Sequence, residues 1–167
     1  MGDYIDAMRS NWATIRPDLS TEPAEVVGRI VRLARIIQVR TDEILAAQGI
    51  SRDEFDLLSL LIRSGRELTP SELASALWVS ASGTTKRLNK LESAGLVTRR
   101  SHPDDARASL VEPTPAAVAA IGPALQALGS FDETLLTAVP AARRSALASS
   151  LRTMLVELDG ERPRDPS

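Results

Sequence analysis

Three polar side chains interrupt an otherwise apolar run. Residues 55–63 read F-D-L-L-S-L-L-I-R, and Asp56, Ser59 and Arg63 recur at i, i+3 and i+7, inside a narrow sector of a helical wheel. A buried helix with one polar stripe lines something polar. A carboxylate, a hydroxyl and a guanidinium along that line can hold a small anion or an ion pair. Nucleophilic catalysis is not indicated, because no histidine or thiol stands with them in the sequence. The chain has no cysteine and a single histidine, His102. Disulfides, thiolate metal sites and imidazole zinc clusters therefore fall outside its chemistry. With no Gly-rich phosphate loop either, the sequence reads as a non-enzyme without cofactor or metal.

A second guanidinium bears on the same stripe. In the helical pattern that follows Ser80, the residues Thr84, Leu88 and Leu91 face inward, and Arg87 lies at the edge of that inner face. An unpaired guanidinium there costs several kcal/mol or more. It must reach water, phosphate or a carboxylate, and Asp56 is the candidate carboxylate. The surrounding charge is biased. Residues 80–107 carry six Lys/Arg (Lys86, Arg87, Lys90, Arg99, Arg100, Arg107) against three acids (Glu92, Asp104, Asp105), in a chain whose formal net charge is -2. That local sign suits a phosphate backbone.

The elements that position these groups can be read from their caps. Thr69, Pro70 and Glu72 form a T-P-x-E helix start, with Leu73, Ala74 and Leu77 inward and the helix stopping near Trp78-Val79. Ser80 caps a second helix that Gly95 ends. Two short helices around a tight turn read as a helix-turn-helix, the second being the recognition helix. Trp78, at the turn, is expected in the core. Residues 97–101 and 108–112 are strand-like and flank the polar loop 102–107, so a hairpin wing follows. The fold class expected is mainly α: a winged helix-turn-helix with a small β-hairpin and an all-helical dimerisation region.

The rest of the chain supplies helices that cannot stand alone. Ile5, Met8, Trp12 and Ile15 make one stripe of a short amphipathic helix in residues 1–16. Residues 24–48 form a long helix with apolar groups on more than one face. Ser51 and Glu54 open the helix that bears the polar stripe. Gly122-Pro123 is expected to kink or break the Ala-rich helical region after the wing. Pro140 starts a last helix with a stripe of Leu147, Leu151, Leu155 and Leu158. The organisation expected is an extra N-terminal helix (1–16), a dimerisation region (24–48 and 114–158), the winged helix-turn-helix (51–112) and a flexible tail (159–167). No long apolar run or leader is seen, so a soluble, cytoplasmic homodimer is expected.

R-x-x-x-P-D-D-x-R-x-x-L-V-x-x-T after A-G-L-V resembles the wing of the MarR family of dimeric regulators, and the E-F-D-L-L run resembles the same family. The family's L-T-x-x-G after the wing stands here as Pro113-Thr114-Pro115-Ala116-Ala117. The resemblance implies a ligand-responsive transcriptional regulator, a repressor in type, that binds double-stranded DNA as a dimer. It implies that Asp105 braces the wing and Arg107 enters the minor groove. Ser80, Ser82, Thr85, Lys86, Lys90 and Arg99 complete the DNA-facing set, on the recognition helix, its cap and the wing. Trp12 in N-W-x-x-x-R-P-D-L, with Asp56, Arg63 and Arg87, resembles the ligand quartet of the PecS-like, urate-responsive branch. By that likeness the four hold an anionic purine. From the residues alone, Asp56, Arg63 and Arg87 equally make a structural ion-pair network, and a winged helix used for protein contact or without an effector stays open.

Overall fold

The computed structural model describes residues 2–103 and 108–160 of the 167. Two compact units are present, residues 1–128 and 129–167.

The first unit opens with α1 (Tyr4–Ile15). The Asp3 carboxylate accepts the Ile5 and Asp6 amides, and the Asp6 carboxylate accepts the Asp3 amide in return. Of the expected stripe only Ile5 is buried, while Trp12 and Ile15 are exposed. Charge does the rest of the fastening. After a 3-10 turn (Pro23–Glu25) comes α2 (Val27–Ala47), whose Arg29 donates to Asp3 at 2.7 Å and Asp6 at 2.6 Å; Arg9 reaches Glu25 at 2.8 Å.

α3 (Arg52–Ser64) starts on the Ser51–Glu54 capping box and stops at Gly65, whose φ of 64° is left-handed. Leu57, Leu58 and Leu61 are its fully buried face. Leu68 then makes an isolated bridge to Val111, which sequence periodicity did not signal. α4 (Pro70–Leu77) has the Thr69–Glu72 box expected of it. α5 (Ala81–Ser93) is capped by the Ser80 hydroxyl, which accepts the Gly83 amide at 3.2 Å. Leu73, Leu88 and Leu91 meet the α3 leucines in one core. Gly95 follows α5 at φ 69°.

β1 (Val97–Ser101) pairs antiparallel with β2 (Ser109–Pro113), Thr98 opposite Glu112 and Arg100 opposite Leu110. Val97 and Val111 point into the core, so the hairpin grows directly from it. Helix, turn, helix and hairpin are thus arranged as the sequence predicts.

One expectation fails, and of the kink or break expected at Gly122-Pro123 the break is not found. Trp78 is not in the core: it is 66% exposed and adopts φ 59°, the single non-glycine with positive φ among the described residues. It closes α4, its amide turning back to the Ala74 and Ser75 carbonyls, while Leu77 and Val79 on either side take the inward positions. Gly122-Pro123 does not break its helix, since α6 runs uninterrupted over Pro115–Leu136. Both residues are exposed, so the carbonyl that loses its donor to Pro123 opens to water.

In the second unit, α7 (Ala141–Gly160) follows Pro140, and Arg144 donates to the Val139 and Leu136 carbonyls at 3.0 and 2.9 Å. Leu147, Leu151, Leu155, Val156 and Leu158 are all exposed. The expected flexible tail lies outside the described residues beyond Gly160. Among the described residues no helix is long and apolar enough to cross a membrane.

Candidate nucleic-acid interface and the crevice between α3 and α5

α5 presents two faces. Thr84, Leu88 and Leu91 are buried, and the Thr84 hydroxyl donates to the Ser80 carbonyl at 3.1 Å, so its polarity is satisfied within the helix. Ser82, Thr85 and Lys86 are exposed on the other side. The Thr85 hydroxyl turns back to the Ala81 carbonyl at 3.0 Å, whereas among the described residues no hydrogen bond or ion pair holds Lys86. Ser80 is already engaged as the cap. Ser82, Thr85 and Lys86 together make this side of α5 an exposed polar face, with the Ser82 hydroxyl 3.4 Å from that of Ser80.

The remaining expected contacts sit differently. The Lys90 ammonium is paired with Glu54 at the start of α3. The Arg99 side chain folds against α5, Nη2 donating to Asn89 at 2.7 Å and Nε lying 3.3 Å from Glu92, with a fifth of it exposed. Arg100 is exposed and pairs with Glu67. Asp105 and Arg107 lie outside the described residues.

The carboxylate that meets Arg87 is not Asp56. Arg87 Nη2 donates to Asp53 Oδ2 at 2.6 Å, one helical turn nearer the start of α3. Asp53 and Asp56 both project toward α5, and the more exposed of the two has the guanidinium. Together with Leu57, Leu77, Val79 and Arg87 they line a crevice of about 30 Å³, the room of about one water. Among the described residues Asp56 makes no hydrogen bond or ion pair across it. Burial pushes its carboxyl above the usual range, and the negative Asp53 and Asp42 add to that against the pull of Arg52 and Arg63. Arg63 is exposed in the last turn of α3, near enough to be felt by Asp56 but not hydrogen-bonded to it.

Trp12 is absent from the walls of this crevice; it is 45% exposed on α1. The chain thus brings together Asp56 and Arg87 of the expected quartet, adds Asp53, keeps Arg63 within electrostatic reach and leaves Trp12 apart. α1 is tied by charge to α2 and the turn before it, which is why its tryptophan does not face α3 within one chain.

Glu54 is the residue that sequence reading saw in only one of its roles. Its carboxylate accepts the Ser51 amide at 3.0 Å and hydroxyl at 2.7 Å and also holds Lys90. Burial by itself would raise its pKa, but Lys90 and the two Ser51 donors outweigh that and bring it down to about 2. The signal was present: two successive acids, Asp53-Glu54, open α3, and two cations three apart, Arg87 and Lys90, lie along α5.

A sequence model of the MarR family matches residues 48–108. The HTH-type transcriptional regulator PecS of Dickeya dadantii is 32% identical over 118 residues, which span 68% of this chain and 71% of that protein. YdgJ of Bacillus subtilis, an uncharacterized HTH-type transcriptional regulator, is 30% identical over 134 residues, 80% of this chain and 79% of its own. Among solved structures, apo MarR from E. coli superposes with a TM-score of 0.68 at 26% identity, covering 77% of this chain and 96% of that one. A mutant of the same protein complexed with operator DNA gives 0.63 at 26% identity, covering 79% and 96%.

Proposed function

The chain belongs to the MarR family of transcriptional regulators, and on that footing we propose that it binds a pseudo-palindromic operator as a homodimer and releases it when a small anion of the purine class enters beside Asp56. The outward face of α5 carries the first half of this reading. Ser82, Thr85 and Lys86 stand exposed on a Ser80-capped helix that the core fixes from behind. Two such helices related by a dyad enter successive major grooves about 34–36 Å apart. The dyad has a physical motive in α7, where five large apolar side chains face water and a second copy would cover them.

The crevice between α3 and α5 supports the second half. An anion beside Asp53 and Asp56 adds negative charge to a poorly solvated place and competes for the Arg87 guanidinium. Taking Arg87 from Asp53 shifts the helix that carries it, so the geometry that fits the duplex becomes the more costly one. Coupling of this kind is about 1–3 kcal/mol, a factor of roughly 5 to 150. At about 30 Å³ the crevice must widen to admit a purine, so binding and movement of α5 are one event. Repression, not activation, is the reading that release by an effector favours.

Fluorescence anisotropy with the duplex immediately upstream of the gene tests the DNA half: affinity should fall steeply with salt. Calorimetry with urate tests the other half. Heat absent with urate, or identical in Arg87→Ala, removes the effector and leaves a DNA-binding regulator without one. No duplex affinity at low salt leaves a winged helix used for protein contact.

A further inference from the structure

α5 is tied to the first turn of α3 by two adjacent ion pairs. Arg87 meets Asp53 at 2.6 Å, and Lys90, three residues along, meets Glu54. The two differ in how firmly the acid is seated. The Asp53 side chain is half exposed, while that of Glu54 is 12% exposed and is held from behind by the Ser51 amide and hydroxyl. Glu54 cannot follow Lys90 outward without giving up the cap of its own helix. Lys90 itself is 73% exposed, so it has a choice that Glu54 lacks: it can stay on the acid or leave for a phosphate.

We propose that Lys90 is a positioning residue held by Glu54, setting the angle and register of α5 against α3, and that it does not carry a phosphate contact. The inference rests on the DNA-binding reading of α5 and assigns Lys90 a different part in it. Three observations carry it. The anchor acid is nearly buried and doubly hydrogen-bonded, so a departing ammonium would leave a carboxylate poorly solvated. The neighbouring Arg87–Asp53 pair acts between the same two helices, so the contacts form a two-point brace that resists rotation of α5 about its own axis. Lys86, one turn earlier and exposed without such an acid, is available for the duplex instead.

Brace and phosphate contact predict opposite results. Counting charge alone, Glu54→Gln removes a negative group near the duplex and tightens binding. For a brace it loosens α5 and weakens binding. The experiment is anisotropy with the duplex upstream of the gene, over a salt series, for the parent, Lys90→Met, Glu54→Gln and the double variant. Lys86→Met serves as the phosphate-contact control. The brace predicts that Lys90→Met and Glu54→Gln each weaken binding about three- to fivefold, the scale of a partly exposed ion pair. The double variant should be no weaker than either single one, and Lys90→Arg should recover most of the loss. The slope of log affinity against log salt stays that of the parent for Lys90→Met and falls by about 0.9 for Lys86→Met. A slope lowered by about 0.9 in Lys90→Met, or tighter binding by Glu54→Gln, overturns the proposal. Should Glu54→Gln fail to fold, the slope of the surface variant Lys90→Met decides by itself. A parent that shows no salt-dependent binding sinks the DNA-binding reading and this inference together, whereas a binding parent with a flattened Lys90→Met sinks the inference alone.

Discussion

Glutamine at position 54 separates the charge of that side chain from its shape. The amide keeps an oxygen for the Ser51 donors, because Gln serves in a capping box as Glu does. What it loses is the ion pair with Lys90 and the charge behind the two Ser51 hydrogen bonds. The carboxyl of Glu54 is brought from the usual 4.5 down to about 2. A drop of that size corresponds to roughly 3 kcal/mol of preference for the charged form in the folded chain. Lys90 is 73% exposed and its share is screened, and Gln retains the neutral contacts, so the expected loss in Glu54→Gln at pH 7 is about 1–2 kcal/mol. The pH sign follows from linkage. A carboxyl whose pKa is lower folded than unfolded stabilises the fold above about 4.5 and stops doing so as pH falls toward about 2. Urea unfolding at fixed chain concentration, for parent and variant at neutral pH and at successively lower pH, reads both quantities. The gap between the two proteins should be full at neutral pH and close steadily below about 4.5. A Glu54→Gln variant as stable as its parent at pH 7, or a gap that persists in acid, refutes the reasoning.

Two other outcomes follow from the packing. Leu88 is fully buried between α3 and α4, so Leu88→Ala should cost about 3–5 kcal/mol by urea unfolding, whereas Lys86→Met should leave the midpoint nearly unchanged. Arg29 lowers the pKa of Asp3 most, and Asp6, whose pKa is lowered chiefly by the Asp3 amide and then by Arg29, shares the same guanidinium. The tie between α1 and α2 should therefore hold above the ordinary carboxylate range and loosen as pH falls through it. Hydrogen exchange in residues 4–15 should rise in Arg29→Ala at neutral pH, and equal protection in parent and variant would show that Ile5 alone seats α1.

The reading head was legible because each of its boundaries is a local chemical event. Thr69 with Glu72, Ser51 with Glu54, Ser80 before Gly83 and Gly95 at a left-handed φ are each written within four residues of sequence. Periodicity then told Leu88 and Leu91 from Ser82 and Lys86. What could not be read was the choice among partners of the same kind. Asp53 and Asp56 are both within a turn of the place where Arg87 arrives, and only the approach of α5 to α3 decides between them. Lys90 looked like its neighbour Lys86 because an acid 36 positions earlier does not announce itself in a helical wheel. Trp12 failed for a related reason: an amphipathic stripe says that a helix has an inner face, not which neighbour that face finds. Trp78 was misplaced because the sequence gives aromatic residues no mark that distinguishes a closing position from a core one.

The position of Trp78 has a practical consequence. The chain contains two indoles, one on α1 and one on the exposed left-handed corner that leads into α5. With Trp12→Phe, and excitation at the red edge where Tyr4 hardly absorbs, the indole emission of the molecule comes from that corner alone. The protein then carries its own optical probe two residues from the cap of α5, and quenching by iodide can follow duplex or small anions arriving there without an attached dye.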